Sequence, residues 1–181
     1  MFKKMDLFSK TCIKILFLLS EHPSKSFYEK EMAVRCKIST GAVNTSMNML
    51  KSSNLVTYER KGKSSLYKIN LNNFVAREIK VLSMIFNIRD LIENLKTLSK
   101  KIILFGSCAN GTDVEESDVD LFILSSENKE KILRLVSKAE SSIARKINPI
   151  VIDPKNMNIF MQNHLYKNIQ KGKVLWDENE S

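Results

Sequence analysis

An apolar run, Lys101-Ile102-Ile103-Leu104-Phe105, stops at Gly106-Ser107; Gly111 and then Ser117-Asp118-Val119-Asp120-Leu121-Phe122-Ile123-Leu124 follow. A run of this kind reads as a strand buried on both faces. The glycine turn should open a short helix, and the second strand carries two carboxylates at its start. Residues two apart on a strand point to one face. Asp118 and Asp120 therefore project together, while Val119, Leu121 and Ile123 share the opposite, buried side. Two neighbouring carboxylates repel unless a cation lies between them, and hard oxygen ligands suit Mg²⁺ bound jointly with substrate phosphates. Gly106 removes the side chain that would block a phosphate, and amides at the start of the following helix can hold the anion. Ser107 adds a hydroxyl donor. A lone Gly-Ser is usually a turn and a lone Asp-x-Asp a solvated strand end. The order makes the pattern specific: apolar strand, glycine turn, then the residues from Cys108 to Ser117 before the paired acids.

Charge divides the chain differently. The 181 residues carry a net +9, yet residues 1–97 hold 17 Lys/Arg against 8 Asp/Glu and residues 98–181 hold 12 of each. Two halves with such different electrostatics imply two jobs, one involving a polyanion. With 43% hydrophobic residues, five glycines and three prolines the chain can bury a core and reads as helix-rich. Three scattered cysteines (Cys12, Cys36, Cys108) and two histidines (His22, His164) supply no zinc site and read as free thiols in a reducing compartment. Ile15 to Leu19 is too short to span a membrane, and Asp6, Lys10 and Lys14 interrupt any signal-peptide core. The expectation is a cytoplasmic protein with no membrane association.

The basic half reads as three helices and a hairpin. Leu7, Ile13, Leu16, Phe17 and Leu19 are spaced for an amphipathic helix ending near His22-Pro23. A second helix runs from about Tyr28 to Cys36, with Met32 and Val34 among its apolar positions. Ser39 is an N-cap for a third, in which Val43, Met47 and Leu50 make one stripe and which should stop at Asn54. Strand character follows over Leu55 to Arg60 and Ser65 to Ile69, separated by Lys61-Gly62-Lys63-Ser64. This order, and the stretch "KISTGAVNTSMNMLKSSNLVTYERKGKSSLYKIN", resembles a winged helix-turn-helix domain over residues 8–72. The resemblance implies a third helix in the DNA major groove and a hairpin against the flanking backbone. Thr40, Asn44, Thr45 and Asn48 would then face base edges, and Arg60, Lys61 and Lys63 the phosphates. A solvated helix face or a protein-docking module is the plainer alternative. The 13 Lys/Arg against 5 Asp/Glu in residues 1–72 point to nucleic acid.

From Phe74 to about Leu98 runs a long helical pattern with two apolar stripes, Val75, Ile79, Leu82 and Phe86, then Ile85, Ile88, Ile92 and Leu95. It reads as a linker helix, with a homodimer contact as the second use of its apolar surface.

The segment "LFGSCANGTDVEESDVDLFIL" resembles the nucleotidyltransferase superfamily of DNA polymerase beta, in particular its small stand-alone members, the minimal nucleotidyltransferases. The likeness extends over residues 99–177 and includes the ending "NIQKGKVLWD". It implies transfer of a nucleoside monophosphate, AMP from ATP being expected, to a protein or small-molecule hydroxyl. Gly106 and Ser107 would hold the β/γ phosphates and Asp118 and Asp120 two Mg²⁺ ions. Such enzymes carry a third carboxylate on a following strand, here Lys146 to Ile152, where Asn148 stands instead. Asp153 is the nearest acid, but it should point to the other face unless a bulge near Pro149 shifts the register. Asn110 also departs from the arginine common in small members. The resemblance further suggests an antitoxin with a HEPN-type protein partner. Cys108 is read as structural, Phe160, Tyr166 and Trp176 as core rather than a base-stacking platform, and His164 as surface or packing.

The expected fold is α+β: a winged helix-turn-helix over 1–72, a connecting helix over 73–98, and a small α/β nucleotidyltransferase domain with a mixed sheet over 99–181. Two functions compete. One is Mg²⁺-dependent nucleotidyl transfer; the other is a DNA-binding transcriptional regulator whose transferase domain is a nucleotide sensor or catalytically degenerate.

Overall fold

Helix α1 (Lys10–Glu21) begins where the Ser9 hydroxyl accepts from the Cys12 amide, and it buries Cys12, Ile15, Leu16 and Leu19 along one stripe. The structure, a computed structural model, describes residues 9–62 and 64–180. Leu7, expected in this helix, and Lys63 lie outside the described residues. By their contacts the chain forms two units, one up to Ser83 and one from Met84.

In the first unit a two-residue strand, β1 (Phe27–Tyr28), precedes α2 (Glu29–Cys36). Lys37 adopts the left-handed conformation after α2, and the Lys37 and Ile38 amides close on Val34 and Ala33. Ser39 then caps α3 (Thr40–Ser52), accepting from the Ala42 amide at 3.2 Å. Val43, Met47 and Leu50 are buried, and Asn54, at φ 55°, turns the chain into β2 (Val56–Lys61) and β3 (Ser64–Ile69). The three strands pair antiparallel in the order β1-β3-β2.

Three expectations need correction here. The hairpin is tighter than the sequence suggests, because Lys61 pairs with Ser64. Tyr28, expected to start the second helix, instead forms a strand with Phe27, pairing with Leu66-Tyr67 far along the chain. Val34 is 78% exposed, since the short α2 buries only Met32 and Cys36.

Helix α4 (Phe74–Lys96) contributes Ala76 and Ile79 to the first core and Met84, Ile88, Leu91, Ile92 and Leu95 to the second. Of the first stripe expected to pack, Val75, Leu82 and Phe86 are exposed, as is Phe74. Apolar character alone does not decide which face of a helix is covered.

The second unit is built on a four-stranded mixed sheet of β4 (Lys101–Phe105), β5 (Val119–Leu124), β6 (Ile147–Ile152) and β7 (Lys173–Asp177), ordered β6-β5-β4-β7. Only β5 and β6 run parallel, joined through α6 (Lys129–Ile143). From Ile102 to Phe105 strand β4 is apolar, in keeping with cover on both its faces. Ile102 and Leu104 join one core with α4 and α6, whereas Ile103 and Phe105 join Phe122 and Ile169 in a smaller one. The smaller core is closed by α7 (Met157–Phe160) and α8 (His164–Ile169). Phe160 stacks on Phe122 at 5.8 Å and meets Tyr166 edge-on. The Trp176 indole donates to the Ser99 carbonyl at 3.1 Å, so these rings serve packing.

Candidate functional site

Between β4 and β5 the chain makes α5 (Gly106–Asn110), a helix of a turn and a half that starts at the glycine. Gly106 has φ 72°, a region closed to most side chains. A Cβ at this position would also collide with Asp120 Oδ2. Glycine is thus demanded twice, by its own backbone and by the carboxylate against it. Ser107, half-buried, supplies the carbonyl that receives the Thr112 amide at 3.1 Å and helps shape the loop. Gly111, also left-handed, ends the helix.

Strand parity aims the acids. Val119, Leu121 and Ile123 are fully buried toward α4 and α6, which leaves Asp118 and Asp120 on the side of Phe122 and the smaller core. On β6 the same parity puts Asn148 with Ile150 and Ile152, and Asn148 pairs in register with Asp120. The Asn148 Nδ2 donates to Asp118 Oδ2 at 2.8 Å and to Asp120 Oδ1 at 3.5 Å. Burial pushes the Asp120 carboxyl above its ordinary value and the Asp118 charge pushes the same way, while the Asn148 hydrogen bond opposes both.

Asp153 does not reach this cluster. The β5–β6 register runs without a bulge from Asp120 and Asn148 to Leu124 and Ile152, so nothing moves Asp153 onto the acidic face. Its carboxylate instead caps the turn Pro154–Asn156, accepting from the Lys155 amide at 2.8 Å. The third corner of the cluster is Asn148.

The donor set fits a divalent ion. Two carboxylates face one gap, and the amide between them offers a carbonyl oxygen if it turns over. A second ion is less well provided for, because this corner brings no charge. Among the described residues, no group of three or more His, Cys, Asp or Glu side chains is placed to hold a metal.

Sequence reasoning missed the residue that secures this loop. Ala144 takes the left-handed conformation after α6 and sends Arg145 back beneath residues 113–118. Its guanidinium pairs with Asp113 at 2.8 Å, donates from Nε to the Ser117 carbonyl at 3.0 Å, and reaches the Val114 carbonyl and the Cys108 sulfur at 3.4 Å. Asp113 is 1% exposed. The Cys108 thiol in turn donates to the Asp118 carbonyl at 3.4 Å, which gives this cysteine a structural place. An arginine just past an amphipathic helix carries no signal of such a role in the sequence.

The first unit presents the side chains singled out for nucleic acid. Thr40, Asn44, Thr45 and Asn48 line the exposed side of α3, and Arg60 and Lys61 end β2, also exposed. Thr45 donates to the Gly41 carbonyl and Asn48 to Asn44. Thr40 and Asn44 border a groove of about 700 Å³ that is also lined by Glu29, Lys30 and Glu31, residues that the sequence reading did not connect with this face.

Residues 86–181, just over half of the chain, match the family described as polymerase beta, nucleotidyltransferase. Three proteins of Methanocaldococcus jannaschii, each provisionally named a protein adenylyltransferase, are similar to the chain. One is 35% identical over 86 residues, which cover 43% of this chain and 58% of that protein. The second is 35% identical over 78 residues (42% of this chain, 78% of that protein), and the third 38% over 68 (35% and 69%). The chain thus spans little more than half the length of the first. A crystal structure of a provisionally named nucleotidyltransferase from Sulfolobus solfataricus covers 62% of this chain and 96% of its own, at 16% identity and a TM-score of 0.39, too low to establish a shared fold. The family match spans the segment that holds Gly106, Asp118 and Asp120: the chain belongs to the polymerase beta family of nucleotidyltransferases.

Proposed function

We propose that the second unit transfers AMP from ATP to a hydroxyl on a protein, with Asp118 and Asp120 holding Mg²⁺. One observation carries the reading: Asp120 lies against the bare Gly106 while Asp118 and Asp120 share the Asn148 amide. A phosphate held at the glycine turn would lie next to the Asp120 carboxylate, and a cation would be needed to offset their repulsion. Mg²⁺ bound there would neutralise the charge that builds up as the α-phosphorus bond to pyrophosphate breaks and the bond to the acceptor oxygen forms. Gly106 and Ser107 hold the β/γ phosphates, and Arg145 keeps the loop bearing Asp118 in place. The choice of AMP and of a protein acceptor draws on the names of the Methanocaldococcus relatives.

A second reading is favoured by Asn148. A neutral amide cannot take the acceptor's proton, so the same cluster suits nucleotide binding without turnover, in a regulator that senses the nucleotide. For the first unit we propose a winged helix-turn-helix that binds DNA, supported by the order of α1, β1, α2, α3 and the β2–β3 hairpin and by the exposed Arg60 and Lys61. A homodimer reading two half-sites and a HEPN-type protein as acceptor, in an antitoxin role, complete the proposal.

The test uses ATP labelled in the α or the γ phosphate, with Mg²⁺ and the proteins encoded beside this one. Wild type should transfer label from the α position alone, and Asp118→Asn with Asp120→Asn should abolish it. Equal labelling by wild type and the double variant would remove the enzyme reading. Nucleotide binding without transfer would select the sensor.

A further inference from the structure

The glycine turn faces a cleft of about 350 Å³ in which Gly106, Asn110 and Asp120 form one wall and Asn168, Lys171 and Gly172 the other. This volume lies at the small end of ligand pockets, about 300–1,000 Å³, enough for a polyphosphate and part of its nucleoside. The far wall comes from the end of α8 and the turn into β7, a segment whose sequence reads only as a closing strand.

Its backbone is held closely. A Cβ on Gly172 would collide with the Leu104 carbonyl and come within 2.7 Å of Ile103 Cγ2, so the turn is pressed onto β4 as only glycine allows. The Gly172 amide donates to the Ile169 carbonyl at 2.9 Å and the Lys171 amide to Asn168 at 3.2 Å. Lys171 is therefore anchored through its backbone, and the residue is exposed. Among the residues lining the cleft it is the one cation, and Asp120 on the opposite wall is the one anion.

Resting on the nucleotide-transfer reading above, we infer that Lys171, with Asn168 beside it, holds the polyphosphate of the nucleotide across the cleft from Asp120. A bound phosphate chain carries several negative charges and cannot lie against Asp120 without a counter-charge. A cation between carboxylate and phosphate serves one side, and the Lys171 ammonium serves the other. Lysine suits this as a compact charge on a flexible stem, able to follow phosphates as they move from substrate to leaving group. The Asn168 amide adds a neutral donor to the same wall.

The inference is tested by equilibrium titration with fluorescent N-methylanthraniloyl derivatives of ATP and AMP at fixed Mg²⁺, using the full chain. Lys171→Gln should weaken ATP binding about tenfold, the loss of one charge-assisted contact. AMP, which lacks the outer phosphates, should bind as before. Lys171→Arg should keep most of the ATP affinity, and Lys167→Gln, on α8 but outside the cleft, should behave as wild type. Far-ultraviolet circular dichroism should show each variant folded. Unchanged ATP binding by Lys171→Gln, or equal losses for ATP and AMP, would overturn the role of Lys171 and leave the transfer reading standing. Failure of the wild type to bind either nucleotide would overturn both.

Discussion

Removing the Arg145 guanidinium should do more damage than any other single change on the acidic loop. Arg145→Met keeps the length of the stem but leaves the Asp113 carboxylate, 1% exposed, without the cation 2.8 Å away, and it strips donors from the Ser117 and Val114 carbonyls. Breaking a buried ion pair by removing one partner costs about 3–5 kcal/mol. Taking about 3 kcal/mol and a urea slope of about 1.5 kcal/mol/M, the unfolding midpoint should fall by about 2 M. Trp176 is the one tryptophan and packs in the core of the second unit, so its emission reports this unit alone and avoids a two-state treatment of the whole chain. Asp113→Asn should be milder, because Arg145 is partly accessible to water. With both changes the cost should be less than the sum of the two, by about 1–3 kcal/mol, since no buried charge is then left facing a neutral group. A midpoint for Arg145→Met within about 0.5 M of wild type, or strict additivity in the double variant, would refute the assignment of Arg145 as the brace of this loop.

Other substitutions probe other parts of the account. Gly106→Ala should cost at least about 1 kcal/mol from its left-handed backbone alone and should also abolish nucleotide affinity, because the new methyl displaces Asp120; titration calorimetry and urea melts separate the two effects. Asn148→Asp exchanges the donor between Asp118 and Asp120 for a third negative charge, so the variant should melt below wild type in EDTA and gain more from Mg²⁺, as read by differential scanning fluorimetry. The Lys101 ammonium, 2.7 Å from Asp177, holds that carboxyl below its ordinary value. The stabilisation is therefore present at neutral pH and lost as pH falls through the folded-state value, and Lys101→Met should flatten this acid limb in a pH series of melts. For DNA, affinity should fall steeply with salt in mobility-shift titrations, and Arg60→Ala with Lys61→Ala should make that slope shallower by about 2.

How far the chain could be read beforehand depends on whether a feature is local. The strand–glycine–helix–strand order around Gly106 is local, and so are the Ser39 cap and the left-handed Asn54; each was legible because neighbouring residues determine it. The position of Asn148 followed from parity along β6, and the unbroken register explains why Asp153 is elsewhere. The β1 strand was invisible because its partner on β3 lies nearly forty residues away and the strand is only two residues long. On α4 the pattern offers more apolar residues than the cores receive, and periodicity does not say that Phe74, Leu82 and Phe86 are the ones left exposed. Arg145 and Lys171 were missed for a common reason. Each is one basic residue among 29, and only the folded chain shows that the first lies under the acidic loop and the second across the cleft from Asp120.

The central claim is that Asp118 and Asp120 form a divalent-cation site shared with a nucleotide. Water-proton relaxation with Mn²⁺ and the non-transferable analogue α,β-methylene ATP measures such a ternary complex without requiring an acceptor. Wild type should enhance relaxation saturably, and Asp118→Asn with Asp120→Asn should lose the enhancement while remaining folded. Equal enhancement by the two proteins would contradict the claim.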